Sequence, residues 1–232
     1  ARAAKVSNPR TPKQQEQRGK FATAFSFLKA IKPFIRIGYK ELTQDKSAFN
    51  SAMSYTLKRA VTGSGKEIKI DFDRALVSMG TLMPIFEGAA TVSNHQMTFN
   101  WKDNSGMGNA ERTDIAMVLV YNKDREAAVY DTEAALRSDC HAGLQLPEDW
   151  QDDELVAYLS FCSTDGNCVA NSICLPISVI EIPEEEIDVQ TESIDTTHKR
   201  ILPDKRTVHQ SRITVHSLSA PPNEIRTYRC ET

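Results

Sequence analysis

Asn8-Pro9-Arg10-Thr11-Pro12-Lys13-Gln14-Gln15-Glu16-Gln17-Arg18-Gly19-Lys20-Phe21 reads as a basic arm that delivers the chain into a helix. Asn8 precedes a proline, which steers it out of the α region and favours an extended start. Thr11 suits an N-cap, and Pro12 suits the first helical position, where a missing N–H costs nothing. Gln14 stands three residues on, where a capping box places Glu or Gln. From Pro12 to about Ile31, the residues Phe21, Ala24, Phe25, Leu28 and Ile31 recur at three- and four-residue steps, and Lys13, Gln17, Lys20 and Lys29 fall mostly off that stripe. The stripe puts both phenylalanines on the buried side and leaves the exposed side without the aromatic interleaving that stacks bases. Pro33 kinks or ends the helix.

A second helix is expected from Ser47 to Ala60, burying Phe49, Ala52, Met53, Thr56, Leu57 and Ala60, with Gly63 as its C-terminal stop. Two such helices cannot bury both faces alone and need the rest of the chain or another subunit. After Gly65 the period becomes two. Ile68, Ile70 and Phe72 alternate with Lys69 and Asp71, Met97, Phe99 and Trp101 alternate with Thr98 and Asn100, and Ile115 to Tyr121 is continuously apolar. Ala127 to Asp131 and Gly143 to Leu146 add short strands. Leu155 to Phe161 and Cys168 to Leu175 form a closing hairpin whose tip, Ser163-Thr164-Asp165-Gly166-Asn167, carries an Asp-Gly turn signal. The expected fold is α+β: a basic arm and two-helix segment over residues 1–66, then an immunoglobulin- or fibronectin-like antiparallel sandwich over residues 67–182. Residues 183–232 read as an acidic linker opened by Glu184-Glu185-Glu186 and a C-terminal arm. Its one strand-like alternation, Val208, Ile213, Val215 and Leu218, pairs either within its own sandwich or with an open strand edge of a neighbouring copy.

The net charge of −3 hides a division. Residues 1–66 hold 14 Lys plus Arg against 3 acidic residues, and residues 67–232 hold 14 against 28. Three readings of the basic part follow: it binds nucleic acid or another polyanion, it packs on the acidic part of its own or a neighbouring copy, or it is a solvated helix face. No apolar run approaches the roughly 18–20 residues of a membrane span, and no signal-peptide pattern opens the chain, whose initial Ala fits a processed or truncated start.

Chemistry-bearing constellations are sparse. Cys140, Cys162, Cys168, Cys174 and Cys230 include no Cys-x-x-Cys pair. Cys162 and Cys168 flank the hairpin tip, where a disulfide is open to them in an oxidising setting and reduced thiols are the favoured state. His141 lies beside Cys140 without further ligands. Asp103-Asn104-Ser105-Gly106 begins like a calcium loop, but its Gly comes too early and no later carboxylate follows, so it reads as a strand connection. Asp149, Asp152, Asp153 and Glu154 crowd one loop around which nothing gathers a substrate. No catalytic residue, metal site or cofactor is implied.

The residues Asn8-Pro9-Arg10-Thr11-Pro12-Lys13-Gln14, Gln17-Arg18, Lys20-Phe21, Phe49-Asn50-Ser51-Ala52, Tyr55, Ile70-Asp71-Phe72, Trp101 to Gly106 and Ala157 to Phe161 together resemble an uncharacterised family found in Bacteroidetes bacteria and their phages. That pattern runs roughly from Ala1 to Ile182. The family's usual Gly-rich segment and aromatic strand ahead of the Arg-bearing start are missing here, and residues 191–232 have no counterpart. The resemblance carries no activity over. It implies a bacterial or phage context, and hence a virion or extracellular surface. The expected role is a non-enzymatic structural subunit of a repeated assembly, with homo-oligomeric or other structural partners. Arg10, Lys13, Arg18, Lys20, Lys29, Lys32 and Arg36 would dock a neighbour, or nucleic acid in the alternative reading.

Overall fold

The computed structural model describes residues 11–179. Arg10 and the arm before it, the acidic linker, the strand-like Thr207 to Leu218 and Cys230 lie outside the described residues. Helix α1 (Pro12–Ala30) starts as the sequence dictates: the Gln14 N–H donates to Thr11 Oγ1 and the Thr11 N–H donates to Gln14 Oε1, each at 3.4 Å. Ile31 leaves helical geometry (φ −110°, ψ 16°), and Pro33 then sits in the first turn of a short new helix, α2 (Lys32–Gly38). Proline is tolerated there because that N–H has no intrahelical acceptor, so the expected break is a restart and the helical segment has three helices, not two. Helix α3 (Ala48–Arg59) is capped by Ser47, whose Oγ accepts the Asn50 N–H at 3.2 Å. Gly63 does not stop α3, which ends four residues earlier. It turns the chain between β1 (Val61–Thr62) and β2 (Lys69–Ile70) at φ +81°, where an added Cβ would fall 2.1 Å from the Glu67 carbonyl oxygen.

Eight further strands form two four-stranded sheets: β3 (Gly88–Ser93), β4 (Gln96–Trp101), β5 (Ile115–Asn122), β6 (Ala127–Leu136), β7 (His141–Gln145), β8 (Leu155–Cys162), β9 (Ile173–Leu175) and β10 (Ile177–Val179). One sheet runs β10-β3-β4-β7 and the other β6-β5-β8-β9. All pairings are antiparallel except β10 with β3. The chain is therefore α+β. Pro176 divides what reads as one closing strand: β9 pairs with β8, Pro176 lacks the N–H to continue that ladder, and its carbonyl accepts the Ala90 N–H at 3.0 Å as β10 joins the opposite sheet. Strand β3, Gly-Ala-Ala-Thr-Val-Ser, is absent from the sequence reading because small residues give no alternation. It is held by β4 through a tight turn with Asn94 and His95 both at positive φ.

Sheet β6-β5-β8-β9 is covered on both faces, which explains why β5 and β8 are apolar without alternation. Ala116, Val118, Val120, Ala157, Leu159 and Phe161 point to one side and share a core with Met97, Phe99, Trp101 and Ala142 of the second sheet. Met117, Leu119, Tyr121, Val156 and Tyr158 point to the other and share a core with Phe27, Leu28, Ile31, Phe34 and Ile35. The helices thus bury an apolar face on the chain's own sheet. At about 1.5–3 kcal/mol per large apolar side chain, this second core is a principal source of stability. Gly38 marks its tightest approach. An added Cβ would meet the Val77 carbonyl oxygen at 2.5 Å and the Ser78 Cα at 2.9 Å, backbone atoms that cannot swing aside. Gly38→Ala is expected to destabilise by about 1–3 kcal/mol, seen as an earlier urea midpoint with an unchanged slope.

Candidate functional site

The outward side of the helical layer carries most of the docking residues expected from sequence. Lys13, Arg18, Lys29, Lys32 and Arg36 are exposed, and Lys20 is half-buried and paired with Glu16 at 2.8 Å. None of Lys29, Lys32 and Arg36 enters an ion pair among the described residues. Arg18, Phe25 and Lys29 fall close together in helical projection, and Lys32 and Arg36 stand one turn apart on α2.

The aromatic residues on this side correct the sequence reading. Phe21 and Phe25 are 52% and 43% exposed, and Phe27, which the stripe omits, is buried with Ala24, Leu28 and Ile31. The arc of α1 that meets the sheet is rotated away from Phe21 and Phe25 and toward Phe27 relative to the one the spacing suggests. Phe21 and Phe25 stack with centroids 6.2 Å apart, and Phe25 meets half-buried Phe49 of α3 edge-on at 5.8 Å. Two adjacent exposed phenylalanines with cations around them form an apolar patch inside a basic rim, a surface suited to docking. The charge around it is polarised: residues 11–66 hold 11 Lys plus Arg against 3 acidic residues, and residues 67–179 hold 7 against 18.

The remaining candidates have structural partners. Cys162 and Cys168 flank the turn as read, and all four described cysteines are free thiols. The turn is closed by Ser163, whose Oγ accepts the Cys168 N–H at 2.9 Å, and burial pushes the Cys162 thiol up. In the acidic loop, Arg125 reaches Asp153 at 2.5 Å and Asp149 at 2.7 Å, and the Asn122 amide donates to Asp153 at 2.7 Å. These bonds, Asn122 first and Arg125 second, hold the Asp153 carboxyl below the usual range. The loop is therefore the β7–β8 connection, pinned to the β5–β6 turn. His141 is exposed, with Nδ1 2.8 Å from the Asp139 carbonyl.

Asn104 of the loop that resembled a calcium site faces inward onto Arg137, a residue the sequence reading passed over. Arg137 is fully buried. Its Nε donates to Asp114 at 3.0 Å, Nη1 to Asn104 Oδ1 at 2.6 Å and Nη2 to the Met83 carbonyl at 2.9 Å, and the guanidinium lies over the Phe161 ring at 3.9 Å. The Trp101 indole N–H donates to the Arg137 carbonyl at 2.8 Å. This cluster ties the β3–β4 sheet to β5 and the 83–84 segment with every guanidinium nitrogen bonded, so it is a structural lock. Only the strand-terminal Trp101 hinted at it.

No curated protein and no solved structure matches this chain. The profile of a family of unknown function (DUF6266) matches residues 1–176, and the chain belongs to that family.

Proposed function

We propose that this protein is a non-enzymatic structural subunit of a repeated assembly, in which the basic, aromatic face of α1 and α2 docks on an acidic strand-borne surface of the next copy. The observation that carries this reading is the exposed Phe21–Phe25 stack on the face that carries Lys29, Lys32 and Arg36, none of them ion-paired among the described residues, on a module whose helical part is net positive and whose strand part is net negative. A basic face repels its own image, so the complementary contact joins two different patches head to tail. The strand order supports the immunoglobulin- or fibronectin-like reading of the two sheets. Strands β3, β4 and β7 of one sheet oppose β6, β5, β8 and β9 of the other, and the last segment is shared between both sheets through Pro176. A virion or bacterial surface filament fits the family resemblance of the N-terminal motif.

A second reading, nucleic-acid binding, gains from the same phenylalanines, since exposed rings beside Arg18 and Lys29 suit a single strand's bases and phosphates. Sedimentation velocity of the full chain over a concentration series separates the two. Growth with concentration that 0.5 M salt dissolves supports assembly. A monomer at every concentration that binds a labelled single-stranded oligonucleotide in low salt supports the second reading and overturns the first.

A further inference from the structure

A groove of about 900 Å³ lies between α1, the β1–β2 hairpin and the ends of β5, β8 and β9. It opens away from the docking face, because Thr23 and Phe27 line it and lie across α1 from Phe25 and Lys29. Its floor is an aromatic cluster: Tyr121 meets Phe27 edge-on at 5.0 Å and lies 5.6 Å from Phe72. Tyr121 is 4% exposed, and its hydroxyl oxygen bonds no other described residue but keeps contact with solvent where Tyr121 lines the groove. That sets it apart from the other deeply buried tyrosines. The Tyr39 hydroxyl donates to the Leu76 carbonyl at 3.0 Å and the Tyr158 hydroxyl to the Phe72 carbonyl at 2.7 Å. With no protein partner and access to the groove, the Tyr121 hydroxyl is a polar position on an apolar floor that a ligand can reach.

The rim is anionic. Asp71, Asp73, Glu126 and Glu154 face Lys69 and Lys123, and Lys123 is engaged by Glu154 and by the Phe72 face, 5.0 Å from the ring centroid. Arg74 stands 4.0 Å from Asp71. Neither Asp73 nor Glu126 is ion-paired among the described residues, Glu126 accepting from the Ser26 hydroxyl and Asp73 lying against the Cys174 thiol. Burial first, and these carboxylates second, push both the Cys174 thiol and the Tyr121 hydroxyl up to about 12, so both stay neutral donors at ordinary pH.

We propose that this groove is a binding site for a ligand that carries a protonated amine on an apolar body. The ammonium would sit between Asp73 and Glu126 over the aromatic floor, which favours cations, and the apolar part would cover Ile70, Leu175 and Ile177 with the Tyr121 hydroxyl as a polar anchor.

Two probes with the same body and opposite charge test this: phenethylamine and 3-phenylpropionate, titrated into the ¹⁵N-labelled full chain and followed by amide chemical shifts. The expected result is saturable shifts with the amine at Thr23, residues 69–73 and residues 121–126, and binding of the carboxylate weaker by about tenfold or more. Asp73→Asn with Glu126→Gln should weaken the amine by about tenfold, and Tyr121→Phe should weaken it by a smaller factor, with spectra otherwise retained. Equal affinity for the two probes, the absence of saturable shifts with either, or shifts confined to another surface would overturn the proposal. The wild-type comparison alone decides even if a variant fails to fold.

Discussion

Arg137→Ala is expected to cost about 3–5 kcal/mol of folding stability, the largest effect of any single substitution considered for this chain. The reason is what the substitution leaves behind. Asp114 is 1% exposed and its Oδ2 accepts from Arg137 Nε, so truncation strands a carboxylate in the interior. Asn104 Oδ1 and the Met83 carbonyl lose their donors in the same step, and Phe161 loses the cation on its face. Burial alone pulls the Arg137 pKa down, with Asp114 working against it, but an arginine so paired remains charged. Lysine cannot replace it, since one ammonium does not reach three acceptors set around a planar fork. For a described fold of this size the loss corresponds to roughly 6–20 °C in Tm by calorimetry. Asp114→Ala in the Arg137→Ala background should cost much less than Asp114→Ala alone, because the partners act as one unit. Full additivity of the two would contradict the lock.

Reversing Lys29, Lys32 and Arg36 to glutamate together is expected to leave the fold intact and to lower self-association by about 100-fold or more. All three side chains are exposed and none is ion-paired among the described residues, so each change should stay within about 0.5 kcal/mol in stability. Across the proposed contact, however, the variant presents an acidic rim to an acidic surface, and like-charge juxtaposition costs several kcal/mol. Phe21→Ser with Phe25→Ser probes the other half of the patch. Partly exposed rings at the centre of a contact are the residues expected to anchor it, so association should again fall while thermal stability holds. Loss of stability with no change in association would place the phenylalanines in folding instead.

The parts of the fold that the sequence reveals are those set by local chemistry. Thr11, Pro12 and Gln14 determine a helix start within a few atoms of each other, and Ser47 does the same for α3, so both starts fall where the residues put them. Alternation in Met97, Phe99 and Trp101 shows β4 for an equally local reason. What depends on distant partners is hidden. The spacing of α1 allows more than one buried arc, and only the sheet beneath decides that Phe27 goes in while Phe21 and Phe25 stay out. That decision created the aromatic patch, which the helical stripe had concealed. Strand β3 has no pattern of its own, and β9 and β10 separate only because a second sheet stands ready to accept the chain after Pro176. Arg137 follows a strand in a stretch that looks solvated, and its burial rests on Asp114, Asn104 and Met83, 23 to 54 residues away. The groove at Tyr121 is equally non-local, since it needs α1, the β1–β2 hairpin and three strand ends at once.

Head-to-tail docking makes one demand that neither a symmetric dimer nor a nucleic-acid binder shares. The Lys29→Glu, Lys32→Glu, Arg36→Glu chain keeps its acidic acceptor surface and loses only its donor face, so it should cap growing ends. Sedimentation velocity of wild-type protein at assembling concentration, with this variant added at about one part in five, measures that directly. The expected result is a marked shift of wild-type assemblies to shorter species. A wild-type distribution unchanged by the variant, or a wild-type chain that stays monomeric in low salt at high concentration, would contradict assembly through the helical face.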